Sequence, residues 1–306
     1  VSATATPDAP ALDVIRRLSD EQREELATLV ERKAWTLATT VEEFTGPEKK
    51  AIARAYREGG ERMKRDVQDR LYRRHHWDSL RWWLFGGYVE VPGLPSDPTL
   101  PWDPQTNPNI KIYQPGFVLT TDEHDEAEPT KHMPDKDYLR LLAYTWVHRD
   151  LLLVPKSRQL MVSWLFMSIS LHNLLARNSQ RMAIISKKEE DADALIERAF
   201  TIYKNLPHGR LYVPEVNRIR NNMRCDTSGS VMTAMNQSAK GLRSYTWSWV
   251  FADEMAFQQE ADQMLTAAMA AIRGGGRMTG VSTPDGEETF HDLCSGGGVV
   301  PMPAGV

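Results

Sequence analysis

The sequence predicts an α/β fold: a mostly parallel sheet covered by helices, preceded by a helical N-terminal region. Three observations predict it. From Asp137 onward, short apolar runs alternate with segments of helix length. The runs are apolar at nearly every position instead of every second one, the pattern of strands buried on both faces. Before them, apolar residues recur at helical spacing over most of the first 85 positions.

Composition bounds the function classes. The chain has 306 residues, 41% hydrophobic and 25% charged, the make-up of a globular protein with a large core. Its net charge of −4 excludes a polycation that grips nucleic acid along its whole surface, so any such contact needs a local patch. Two cysteines, Cys225 and Cys294, are too few and too distant for a disulfide framework or a cysteine zinc site, which suggests a reducing compartment. No apolar run reaches the length of a bilayer span, and the first residues do not read as a signal peptide.

The elements follow in order. Residues 1–10 are small and Pro-rich and read as a frayed terminus. Leu12 to Trp35 reads as helix, and a second helical stretch runs from about Pro47 to Phe85. Its end interleaves Arg70, Arg73, Arg74, His75, His76 and Arg81 with Trp77, Trp82 and Trp83. Such a mixture can hold a nucleic-acid backbone. The favoured reading is an amphipathic helix whose Trp residues enter the core. Residues 1–88 thus form the helical N-terminal region, and 89–135, rich in Pro and Asp, form an irregular connection. Within it the acidic run Asp122 to Glu128, with His124, reads as a solvated loop and not a metal site. The core spans 136–292. In it DYLRLLAYTWVH is a helix, LLLVP a short buried strand, and Ser163 to Ala176 a helix. RMAIIS (181–186) is a strand, EEDADALIERAFTIYKNL an amphipathic helix, and SVMTAM, WSWVFA and RMTGVST are strands. A helix runs from about Glu260 to Ile272. Residues 293–306 read as a flexible tail.

In such a sheet, ligands bind beyond the carboxyl ends of the strands. Three strand ends carry chemistry. The first is KSRQLMVS, at the position of a phosphate loop, G-x-x-x-x-G-K-[ST]. Laid over that pattern, Lys156 takes the first glycine, Met161 the second and Val162 the lysine; only Ser163 fits. A phosphate cradle works through backbone N–H groups at a helix start and needs no particular side chain. Val162 cannot neutralise a phosphate, but Lys156 and Arg158 on the same loop can. The second end is WVFADE. Asp253 at a strand tip can hold a Mg²⁺ that bridges phosphates, and Glu254 can orient and deprotonate an attacking water. The third is GVSTP, closing on Ser282 and Thr283. Three such ends in this order point to an ATPase, with an unrelated α/β enzyme as the competing reading.

These residues, KSRQLMVSW, SKKEEDADALIERAFTIYKNLP, GLRSYTWSWVFADEMAF and GGGRMTGVSTP, resemble the ATPase domain of tailed-phage large terminase subunits, from about Pro134 to Asp292. The resemblance implies a RecA-like P-loop ATPase core of the additional-strand, catalytic-glutamate type. It implies ATP and Mg²⁺ as cofactors, with Lys156, Ser157, Arg158, Gln159, Leu160, Met161, Val162 and Ser163 as the nucleotide loop. It assigns Lys156, Arg158 and Ser163 to phosphate and metal, Asp253 to Mg²⁺, Glu254 to catalysis, and Ser282 and Thr283 to coupling; because Val162 is neutral, the loop's charge is expected from Lys156, with Arg158 sharing the phosphates or acting as an arginine finger. Gly241 and Arg243 match a further family element. It implies double-stranded DNA as substrate and the portal protein and small terminase subunit as partners. It also implies a homo-oligomeric ring, no membrane, and work in the host cytoplasm. Two departures stand out. Met161 occupies a position where glycine is common. The segment after the third strand end carries no carboxylate cluster, so nuclease activity is not expected of this chain. Two other readings are a helicase-type RecA-like motor and a non-hydrolysing fragment that binds DNA or portal.

Overall fold

A computed structural model of the chain describes residues 79–91, 110–121, 127–158, 160–206, 213–236, 245–257, 275–283 and 289–295, with Leu242, Thr266 and Ala270. The helix expected over Leu12 to Trp35, Trp77, Gln159, Gly241 and Arg243 lie outside the described residues. So do most of the acidic run and most of the helix expected after Glu260.

The strands, in chain order, are β1 (Gly87–Val91), β2 (Ile110–Gln114), β3 (Leu119–Thr121), β4 (Thr130–His132), β5 (Leu151–Pro155) and β6 (Arg181–Ile185). They continue with β7 (Val216–Ile219), β8 (Asn222–Cys225), β9 (Ser230–Met235), β10 (Trp249–Ala252) and β11 (Arg277–Ser282). The helices are α1 (Asp137–His148), α2 (Val162–Ala176), α3 (Glu189–Lys204) and α4 (Thr289–Ser295), with a 3₁₀ turn at Met255–Phe257.

Seven strands form the main sheet in the order β5-β11-β10-β6-β9-β8-β7. The pairings from β5 through β9 are parallel; β8 and β7 add an antiparallel hairpin. The fold is therefore α/β with a mostly parallel sheet, as the apolar runs imply. β10 is buried at every residue, and β6 at all but its first. Alternate residues of these strands serve two cores. Met182, Ile184, Trp249, Phe251 and Val281 face a layer built by α2, α3 and the helical residues 79–85. Ala183, Ile185, Val250, Ala252 and Met278 face the other side, where Phe290 of α4 packs.

The sequence pattern explains the helices. In α3, Ala192, Leu195, Ile196, Ala199 and Ile202 make one buried stripe at helical spacing. Its acidic first turn (Glu189, Glu190, Asp191) and Lys204 in the last turn both suit the helix dipole. Helix α2 is buried almost all round. Three of its polar residues are satisfied within the helix: Ser168, Ser170 and Asn173 donate to the carbonyls of Trp164, Phe166 and Ile169. The helical residues 79–85 dock on it. Trp83 Nε1 donates to the Ser168 carbonyl at 3.2 Å, and Ser79 Oγ lies 3.2 Å from His172 Nε2. Trp82 and Trp83 are buried, so these tryptophans enter the core.

Four features differ from the sequence reading. Strand β5, expected to be buried, is an edge strand among the described residues, with Leu151 exposed and only Val154 buried. Pro155 fits that edge, where the missing N–H costs no ladder bond. The stretch 89–135, read as irregular, holds strand residues that pair β1 with β2 and β3 with β4, both antiparallel. The β7–β8 hairpin leaves little trace in the sequence, because its alternation of Val216, Arg218, Met223 and Cys225 is short and interrupted by charge. The end of α4 also takes up residues 293–295, which were read as tail. Among the described residues, no helix is long and apolar enough to cross a membrane.

Candidate active site

The parallel strands end together along one edge of the sheet, and β11 lies between β5 and β10. That insertion places the end of β11 between the deviant loop and the acidic pair. All three strand ends singled out in the sequence therefore meet at one place.

The contacts there are direct. Lys156, the residue after β5, donates its backbone N–H to the Ser282 carbonyl at 2.8 Å. Its ammonium reaches Glu254 Oε1 at 3.3 Å, and its side chain is only 10% exposed. Ser163, in the first turn of α2, donates its hydroxyl to Asp253 Oδ2 at 3.0 Å. Thr283 Oγ1 donates to Glu254 Oε2 at 3.0 Å. Ser282 Oγ accepts the Ala256 N–H at 3.1 Å and donates to the Thr283 carbonyl at 3.0 Å, which ties the 3₁₀ turn to β11. Asp253 is buried, and its backbone N–H donates to the Ile185 carbonyl at the end of β6. Burial pushes the Asp253 carboxyl above the ordinary carboxylate value; the nearby Lys156 charge and the Ser163 hydroxyl pull it partly back.

The loop explains how the chain does without the usual residues. Met161, at the second glycine position, adopts the left-handed conformation, φ 57° and ψ 9°, and caps α2. The backbone thus keeps the geometry that glycine normally supplies. Val162, at the lysine position, points into the core and is 3% exposed. A lysine there would be directed into apolar packing; the cation at this end of the sheet is Lys156, against Glu254. The first N–H groups of a helix have no partner within it, and Met161 makes no side-chain cap on α2. Unpaired donors at a helix start form an anion site. Ser157 and Arg158 are exposed, and the structure does not bring Arg158 against the carboxylates. Leu160 is partly buried, and its carbonyl accepts the Tyr138 hydroxyl at 3.3 Å. Nothing in the sequence pattern signals that tether, nor the left-handed backbone of Glu254, φ 50°.

The donor set fits a magnesium ion that keeps most of its ligands as water and phosphate. Among the described residues there is no group of three or more His, Cys, Asp or Glu able to cage a metal. One buried carboxylate beside a hydroxyl at a helix start is the arrangement Mg²⁺ uses with a nucleotide.

The chain is similar to phage large terminases. The ATPase domain of the Thermus phage P74-26 large terminase matches at 20% identity and a TM-score of 0.35, over 47% of this chain and 62% of that one. The HK97 bacteriophage large terminase matches at 13% identity and a TM-score of 0.42, over 50% of this chain and 34% of that one. A large terminase from a thermophilic bacteriophage, in complex with ADP, matches at 16% identity and a TM-score of 0.35, over 45% and 34%. This chain thus spans less than two thirds of the length of these chains, from 34% to 62%. No protein-family model matches the sequence, and no curated protein matches it.

Proposed function

We propose that the chain is an ATP-hydrolysing motor domain of the phage large-terminase kind, driving double-stranded DNA into a procapsid. One observation carries the ATPase reading: Glu254 and Asp253 sit at a strand tip with Lys156 and Thr283 on one carboxylate and Ser163 on the other. Lys156 and the backbone amides at the start of α2 receive the phosphates. Arg158, exposed on the loop, stands ready for the transferred phosphoryl group. Ser163 and Asp253 would hold Mg²⁺, which would neutralise charge on the phosphates. Glu254 accepts the proton of the attacking water. That oxygen bonds to the γ-phosphorus as the bond to the bridging oxygen breaks, giving ADP and phosphate. The DNA substrate, the portal and small-terminase partners, the ring assembly and the host-cytoplasmic setting rest on the motif resemblance.

The test is Glu254→Gln. Nucleotide affinity is expected to stay within about twofold while hydrolysis falls by roughly 10²–10⁴, the usual worth of a positioned general base. Wild-type turnover in that variant would remove Glu254 from the reaction. Hydrolysis with and without double-stranded DNA, measured on the same preparation, tests the motor reading; an unchanged rate would count against it.

A further inference from the structure

We infer that Thr283 is a positioning residue for the general base: it acts on hydrolysis only through Glu254, by holding Oε2 while Lys156 leaves Oε1 for the phosphates. The inference rests on the ATPase reading and names the device by which that site aims its base. The backbone of Glu254 has little freedom. It is left-handed at φ 50°, and its N–H donates to Asp253 Oδ1 at 3.1 Å. Its carbonyl accepts the Phe257 N–H at 3.0 Å. The turn that follows is pinned to Ser282 through the Ala256 N–H. Only the side chain is left to move, and its two oxygens have different holders: Lys156 at 3.3 Å and Thr283 at 3.0 Å.

A phosphate treats the two holders differently. Lys156 is a cation on a flexible stem whose backbone is anchored to Ser282, so an anion draws away the ammonium and leaves the backbone in place. Thr283 is neutral and follows directly on β11, and its carbonyl is bonded by the Ser282 hydroxyl. It carries no charge for an anion to attract, and its one hydroxyl proton is already given to Oε2, so it stays. Phosphate therefore removes one restraint and keeps the other. The freed Oε1 can take the water proton while Oε2 remains fixed. Ser282 has a separate task on the same strand end: it holds the turn, and Thr283 holds the side chain.

The experiment uses the full chain. ATP hydrolysis, followed with labelled ATP, and equilibrium binding of ADP are measured for wild type, Thr283→Val, Thr283→Ser, Glu254→Gln and the Thr283→Val/Glu254→Gln double variant. Thr283→Val is expected to lower kcat about tenfold, the worth of one hydrogen bond to a charged group, with KM and ADP affinity within about twofold. Thr283→Ser, which keeps the hydroxyl, recovers most of the rate. The double variant is no slower than Glu254→Gln alone. The inference is overturned by a wild-type rate in Thr283→Val, by a serine variant as slow as the valine, by a loss that falls on ADP binding, or by a double variant in which the two losses multiply. If the wild-type chain neither binds ADP nor hydrolyses ATP, the ATPase reading falls and takes this inference with it.

Discussion

Met161 shows how a single residue carries loop geometry that its type disfavours. A non-glycine residue in the left-handed region costs roughly 1 kcal/mol. Its half-buried side chain packs on the core and returns a similar amount. Met161→Ala keeps the strain and loses the packing, so a loss of about 1–2 kcal/mol is expected. Met161→Gly removes the strain too and is expected to be the less destabilising of the pair in urea unfolding. An alanine variant more stable than the glycine one would contradict the left-handed assignment. Asp253 makes the opposite trade. Burial raises its folded pKa above the unfolded value, so the native state binds that proton more tightly. Its contribution favours folding below the ordinary carboxylate range and is lost as pH rises through the raised value. At neutral pH the buried charge therefore costs stability. Asp253→Asn is expected to raise Tm at pH 7 while removing Mg²⁺-dependent turnover, with the gain shrinking in melts at acid pH. A variant that melts lower at pH 7 would show that the Lys156 and Ser163 partners outweigh burial.

At the scale of elements, the docking of residues 79–85 hangs on one close approach. The Phe117 N–H donates to the Trp83 carbonyl at 3.0 Å, and His132 Nδ1 lies 2.9 Å from the Gly116 carbonyl. A Cβ on Gly116 would collide with the backbone at Leu84 and Phe85, which has no rotamer with which to yield. Gly116→Ala is expected to destabilise by roughly 2–4 kcal/mol, measured by urea unfolding, as a backbone clash in a packed core does. A shift under about 0.5 kcal/mol would mean that the helix end is not seated there. Much at this scale was legible in the sequence. β6, β10 and β11 announce themselves as apolar runs because parallel strands lack a polar face. The exposure of β5 is not legible in the sequence, since an apolar run looks the same at an edge and in the middle of a sheet.

For the whole molecule, one sheet carries two cores, and the site lies across strand ends that belong to both. Phe166, Trp249 and Phe251 pack together in one of these cores, Phe166 and Phe251 tilted at 5.3 Å and Phe166 edge-on to Trp249 at 6.3 Å. A ligand that bridges β5, β11, β10 and α2 therefore ties the packed unit together. ADP with Mg²⁺ at about 100 times its Kd is expected to stabilise the fold by roughly 2.7 kcal/mol. Thermal melts with and without the nucleotide read this directly, and in Lys156→Ala the shift should largely disappear. An equal shift in wild type and Lys156→Ala would mean that the lysine contributes nothing to binding.

The sequence by itself determined the alternation of strands and helices, the three chemical strand ends, and the fact that Val162 cannot supply a loop cation. Those follow from side-chain type and spacing, which are local properties. Only the tertiary structure decided that β11 enters between β5 and β10, because strand order depends on which faces must be buried and not on chain order. That insertion sets Thr283 against Glu254 and Lys156 against the same carboxylate. It also took the fold to show that Val162 turns inward and Met161 turns left-handed, since backbone conformation at the loop is set by the packing of α2 beneath it.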